Sequence, residues 1–332
     1  KSLPANKWVN MNPPYKPDPR GWGSYVYDVR THRAFAWGGG HSTYSGADVT
    51  EYHLAINRWV EQKYPPNYYP RGEHARPVGM PGVTFFGKSV LPCHARKAYG
   101  IDPISRSLIL WPGDVYDLEE HCVIAHIGPC PPVREKPHPL AQPAYLTTDH
   151  GLYAYYNAWG KLYKADVAAG IWRPVADGGP KVKSEWAHVS WDSKRDRLIY
   201  MDGKHPGVHA YSFRDKAWKR EEGQGGDMAG AIGDSAYVKP MDAVLLVCNR
   251  GGKQKGAVDS LYFYKLDERR WYSAPSTGDP FAGANFSSLN KSPFYDPELG
   301  LVVRVTSGGH WSTDVHVMRL VPEELKLTPV AK

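Results

Sequence analysis

Four histidines stand in segments that could bring them together for proton transfer. His41 follows three glycines in GGGHS, His310 follows two in SGGHW, and His94 and His188 lie in LPCHA and WAHVS. Imidazole moves protons near neutral pH and, when neutral, is also the commonest metal ligand, so both uses stay open. A divalent metal held by histidines would need ligands from separate segments, because no HExxH spacing occurs. No serine sits in a GxSxG elbow. Arg250 and Lys253 in NRGGKQKG, with Lys204 and His205 in GKHPG, could pair with carboxylate or sulfate groups. Tyr44, Trp111, Tyr155, Tyr156, Trp159 and Trp311 offer flat faces for stacking on sugar rings, while Tyr153 is expected in the core.

Together these residues suit β-elimination next to a uronate carboxylate. A base takes the proton alpha to the carboxylate, an acid protonates the leaving oxygen, and a cation neutralises the enolate-like intermediate. The catalytic set expected for that chemistry is His41, His94, His188, His310, Tyr156 and Arg250, with the remaining aromatic and basic residues binding substrate. A glycosidase would show paired carboxylates, and the candidate segments hold few, chiefly Asp114, Asp202 and Asp227.

The formal charge of +7 and pI near 9.0 favour polyanionic partners. Lys and Arg are scattered and no nucleic-acid module is present, so the expected partner is an acidic polysaccharide or oligosaccharide rather than nucleic acid. No run of about 18 apolar residues marks a membrane span, and the first residues lack a signal-peptide core. The expected setting is secreted or periplasmic. Cys93, Cys122, Cys130 and Cys248 form no CxxC pair; a Cys122–Cys130 disulfide and buried free thiols are both open readings.

The elements that must position these residues show in a repeat. Tyr52 and Trp59, Tyr211 and Trp218, and Tyr264 and Trp271 are each seven residues apart, and YKADVAAGIW reads as the same unit lengthened by two. Upstream of each unit lies strand, polar turn, strand, often with an aromatic residue and Asp before the turn, as in VSWDSKRDRLIYMDG. The result is a four-stranded antiparallel unit of about 45 to 55 residues, the range of a propeller blade.

With glycine pairs at Gly38-Gly39, Gly251-Gly252 and Gly308-Gly309, these units resemble kelch repeats over nearly the whole chain. The resemblance implies an all-β, kelch-type β-propeller, related in scaffold to galactose oxidase, although no match to that enzyme's copper site can be placed. Six four-stranded blades are expected, or seven if Pro65 to Pro92 hides strands, and the N-terminal strand around Trp8 should close the ring by pairing near Val315 to Met318. One domain spans 1–322, with an inserted loop at 65–92 judged too rich in proline and glycine for regular strands. Residues 323–332 read as a tail or a linker to further domains. In such a ring the loops at the start of each first strand and the end of each second strand converge on one face, which gathers the candidates above. That face is similar to those of propeller polysaccharide lyases in residue types. A non-catalytic kelch module binding a glycan or a protein is the alternative.

Overall fold

The computed structural model describes residues 3–18, 20, 25–38, 48–60, 83–85, 88–90, 99–110, 113–128, 143–181, 187–202, 207–221, 232–249, 260–275, 277–278, 293–308 and 312–330. It forms a six-bladed β-propeller. After β1 (Trp8–Asn10), blade one holds β2 (Val26–Asp28), β3 (Arg33–Trp37), β4 (Val49–His53) and β5 (Arg58–Trp59). A separate pair, β6 (Val83–Phe85) and β7 (Lys88–Val90), precedes blade two: β8 (Tyr99–Asp102), β9 (Ser107–Leu110), β10 (Asp114–Asp117) and β11 (Cys122–His126). Blade three is β12 (Ala144–Thr148), β13 (Gly151–Tyr156), β14 (Lys161–Asp166) and β15 (Ile171–Ala176). Blade four is β16 (Ala187–Asp192), β17 (Arg197–Asp202), β18 (Val208–Ser212) and β19 (Ala217–Glu221). Blade five is β20 (Ile232–Val238), β21 (Ala243–Asn249), β22 (Ser260–Lys265) and β23 (Arg270–Pro275), and blade six is β24 (Pro293–Asp296), β25 (Leu301–Gly308) and β26 (Ser312–Arg319). The fourth strand of blade six is β1, with Trp8 opposite Met318 and Asn10 opposite His316, so the chain's first strand closes the ring as expected.

Two segments and one cysteine add detail to the sequence reading. The segment at 65–92 carries one regular antiparallel pair, β6 and β7, which is too small to be a seventh blade. The residues after Pro322 do not hang free: β27 (Thr328–Pro329) pairs with the outer edge of β23, and Leu325 and Leu327 pack on the core between blades five and six. Those apolar side chains explain why the segment docks. Of the two open readings of the cysteines, Cys122 fits the free thiol, exposed rather than buried, and Cys130 lies outside the described residues.

The repeat has a simple geometric cause. Its outer hairpins turn in four residues with a left-handed residue in fourth place, at Asn57, His121, Gly170, Lys216 and Arg269. Two residues seven apart therefore face each other across the hairpin. Tyr52 and Trp59, Tyr211 and Trp218, and Tyr264 and Trp271 do so, with ring centroids 5.0, 5.3 and 5.2 Å apart. Blade three corrects the reading of a lengthened unit: its turn is also four residues, Trp172 faces Ala165, and its ring stacks on Tyr145 at 5.5 Å.

The aspartates ahead of the inner turns have an equally local reason. Asp192 accepts the N–H groups of Lys194 and Arg195 at 3.1 and 3.2 Å, and Asp296 accepts those of Glu298 and Leu299 at 3.0 and 2.9 Å. Several of the same aspartates are then gripped by the next blade. Asp296 meets the Tyr27 hydroxyl and His32 Nδ1, both at 2.6 Å; Asp28 accepts from Arg106 at 3.0 Å; Asp102 accepts the Leu152 N–H at 3.1 Å. Between blades four and five, Arg195 binds Asp242 at 2.8 Å and holds its carboxyl well below the usual carboxylate range. This turn face, here the lower face, is a structural seam.

Candidate functional site

The two faces differ in the length of their connections. On the lower face the strands of the blades join through residues 29–32, 54–57, 103–106, 118–121, 149–150, 167–170, 193–196, 213–216, 239–242, 266–269 and 297–300, none longer than four. The strand ends that open on the upper face bound 11–25, 38–48, 60–98, 127–143, 177–186, 222–231, 250–259 and 276–292. Long connections are uncommon in a compact fold and often functional, whereas four-residue turns leave little room for a site. His41, Tyr44, His94, Arg250 and Lys253 all belong to these long connections, while Lys204, His205, Trp111, His310 and Trp311 belong to shorter ones that also open on the upper face. These positions lie outside the described residues.

The described candidates divide differently. His188 is the second residue of β16, an innermost strand, at its upper end, and is buried. Tyr155 and Tyr156 are both core residues. The Tyr155 hydroxyl donates to the Pro180 carbonyl at 2.6 Å, and its ring packs 5.1 Å from both Tyr200 and Trp218. Tyr156 lies in the core of blades one to three, 5.4 Å from Trp159, which is half-buried against it. Every residue of β13 is buried, so neither tyrosine offers a ring face or an open hydroxyl to substrate. Burial also pushes the Tyr155 hydroxyl far above the ordinary phenol range, unsuited to proton transfer near neutral pH. Tyr153 is buried too, as expected.

Sequence reasoning missed three upper-face features. Arg20 is only 1% exposed and ties two strand ends together. Its Nη1 donates to the Gly38 carbonyl at 2.8 Å, its Nη2 to the Asp48 carboxylate and Thr50 Oγ1 at 2.7 Å each, and its Nε to Thr50 Oγ1 at 3.1 Å. Gly38 ends the β3 side and Asp48 begins the β4 side of the connection that carries His41 and Tyr44. Arg20 lies far in sequence from these partners and follows no periodicity, so no local signal marks it.

The second feature is a carboxylate–imidazole pair. Asp114 Oδ1 lies 2.8 Å from His126 Nδ1 where β10 begins and β11 ends. The Asp114 carboxylate is 1% exposed, and burial raises its pKa against the opposing effect of His126. A carboxylate kept where burial penalises its charge is a mark of functional sites, and here it orients an imidazole beside the connection holding Trp111. Its sequence signal was partial: Asp114 stood out as a rare acid, while His126 was hidden in an outer strand lacking the usual Trp.

The third feature lies on blade four, where His209 on β18 faces Arg220 on β19. Burial first, and Arg220 second, push the His209 imidazole below its ordinary value. Among the described residues, no group of three or more His, Cys, Asp and Glu side chains is placed to hold a metal ion. Nor is any helix among them long and apolar enough to cross a membrane. No protein-family model matches the chain, and a search of curated proteins returns no relative.

Proposed function

We propose that the protein is a polysaccharide lyase on a kelch-type scaffold, cleaving a uronic-acid-containing glycan by β-elimination on the upper face in a secreted or periplasmic setting. The observation that supports this reading is the segregation of connections: the lower face is sealed by short turns, and the segments bearing His41, His94, His310, Arg250 and Lys253 are bounded by upper-face strand ends. His188 begins an inner strand on that face, and the Asp114–His126 pair adds an oriented imidazole. Histidines from this group act as base and acid, and Arg250 neutralises the substrate carboxylate. A divalent metal shared by these histidines would serve the same neutralising role.

The burial of Tyr155 and Tyr156 favours a second reading, a non-catalytic kelch module that binds a glycan or protein partner, because it removes the tyrosines expected to serve a lyase. Incubation with uronate-containing and neutral polysaccharides separates the two. A lyase releases unsaturated uronate ends, and His41→Ala or His94→Ala lowers turnover by roughly 10²-fold or more. Acidic glycans bind more tightly than neutral ones, and salt weakens that binding. Binding without unsaturated product supports the module, while equal, salt-independent binding of a neutral glycan contradicts both the lyase and the polyanion argument.

A further inference from the structure

We propose that Arg220 and His209, whose nitrogens converge beside Gly207, form a binding site for an oxyanion, the carboxylate or sulfate group of an acidic sugar. Gly207 enters β18 with a φ of +149°, a conformation that L side chains rarely adopt, so the position takes a residue without a Cβ. A carbon placed there would meet Arg220 Nε and His209 Nε2 at 3.7 Å each and Arg220 Nη2 at 3.9 Å. Three nitrogens of the two side chains thus lie within 3.9 Å of one point beside the Gly207 Cα. The cross-strand pairing of His209 with Arg220 sets their spacing. Strand alternation puts both on the side of Tyr211 and Trp218, facing blade three. The Tyr200 ring, 6.3 Å from the imidazole and itself packed on Tyr155, gives an uncharged wall.

Among the described residues neither Arg220 nor His209 has a carboxylate partner; the neighbouring Glu221 points to the other side of β19 and pairs with Arg197. Two groups able to carry positive charge therefore face each other across the hairpin, and burial first, with Arg220 second, lowers the affinity of His209 for its proton. An oxyanion bridging the two side chains accepts hydrogen bonds from both and supplies a counter-charge to them. The planar fork of arginine suits carboxylate and sulfate alike. The connection bearing Lys204 and His205 runs directly into Gly207, so this site adjoins segments already assigned to the upper face. That the anion belongs to a glycan rests on the proposed function, whereas the oxyanion site itself does not.

The test follows the His209 imidazole by NMR across pH, with inorganic sulfate against sodium chloride at equal ionic strength. Sulfate is expected to raise the His209 midpoint by about one unit, equivalent to roughly tenfold tighter binding to the protonated form. Arg220→Gln, an exposed substitution, is expected to raise the midpoint without sulfate and to abolish the sulfate response. An identical wild-type midpoint in sulfate and chloride overturns the site. A uronate oligosaccharide should reproduce the sulfate effect and a neutral one of equal length should not. If sulfate acts and the uronate does not, the oxyanion site stands and the acidic-glycan reading fails.

Discussion

Replacement of Arg20 by alanine is expected to lower unfolding stability by roughly 3–5 kcal/mol, the range for removing one partner of a buried ion pair. Its guanidinium is the donor set for the Gly38 carbonyl, Thr50 Oγ1 and Asp48, so the variant leaves these acceptors facing a cavity. Lysine should not rescue it, because a single ammonium cannot reproduce a planar fork with separate donors aimed at three residues. Arg214→Ala is the matched control: that side chain is 87% exposed, pairs among the described residues only with Asp215, and should change stability by no more than about 0.5 kcal/mol. Urea denaturation of the three variants checks the ordering. A loss below about 1 kcal/mol in Arg20→Ala would show that the clamp contributes no more than a surface pair.

The second large effect is expected at the ring closure. Trp8 is 3% exposed in the core between blades five and six, and its truncation to alanine should cost about 3–5 kcal/mol. Deletion of Lys1 to Met11 should cost more, because it also exposes the edge of β26. The deletion removes further anchors on both sides of the seam. The Trp8 N–H donates to the Thr277 carbonyl at 3.0 Å, the Asn6 amide exchanges two hydrogen bonds with Val321 at 2.8 and 2.9 Å, and Asn57 donates to the Met11 carbonyl at 2.7 Å. Thermal melts should fall markedly for both variants. A deletion with an unchanged melting curve would contradict closure by this strand.

Much of this fold was legible because its signals are local and repeated. The seven-residue spacing of Tyr and Trp is the arithmetic of a four-residue turn, and an aspartate before an inner turn caps the amides that follow it. Closure was legible for a related reason: blade six lacked an outer strand and KWVNM could supply it. What was not legible depended on orientation or distance. Tyr155 and Tyr156 looked like site residues because β13 is aromatic, but in a blade buried on both sides adjacent residues simply enter opposite seams. Arg20 could not be found from sequence spacing, since its partners are gathered by the ring rather than by any local pattern. The C-terminal segment read as a tail because Pro and Lys surround it, yet a few leucines sufficed to dock it on blade five.

The upper face, the subject of the functional proposal, was inferred from connection topology and gains described members in Asp114, His126, His188, His209 and Arg220. The measurement that tests it most directly is a crystal structure of the protein with a bound uronate oligosaccharide. The proposal predicts density on the upper face, with a sugar carboxylate held by Arg250 or by Arg220 and His209, and histidines from the connections around it. A saccharide bound instead against the short turns of the lower face, or along the outer strand of a blade, would contradict it.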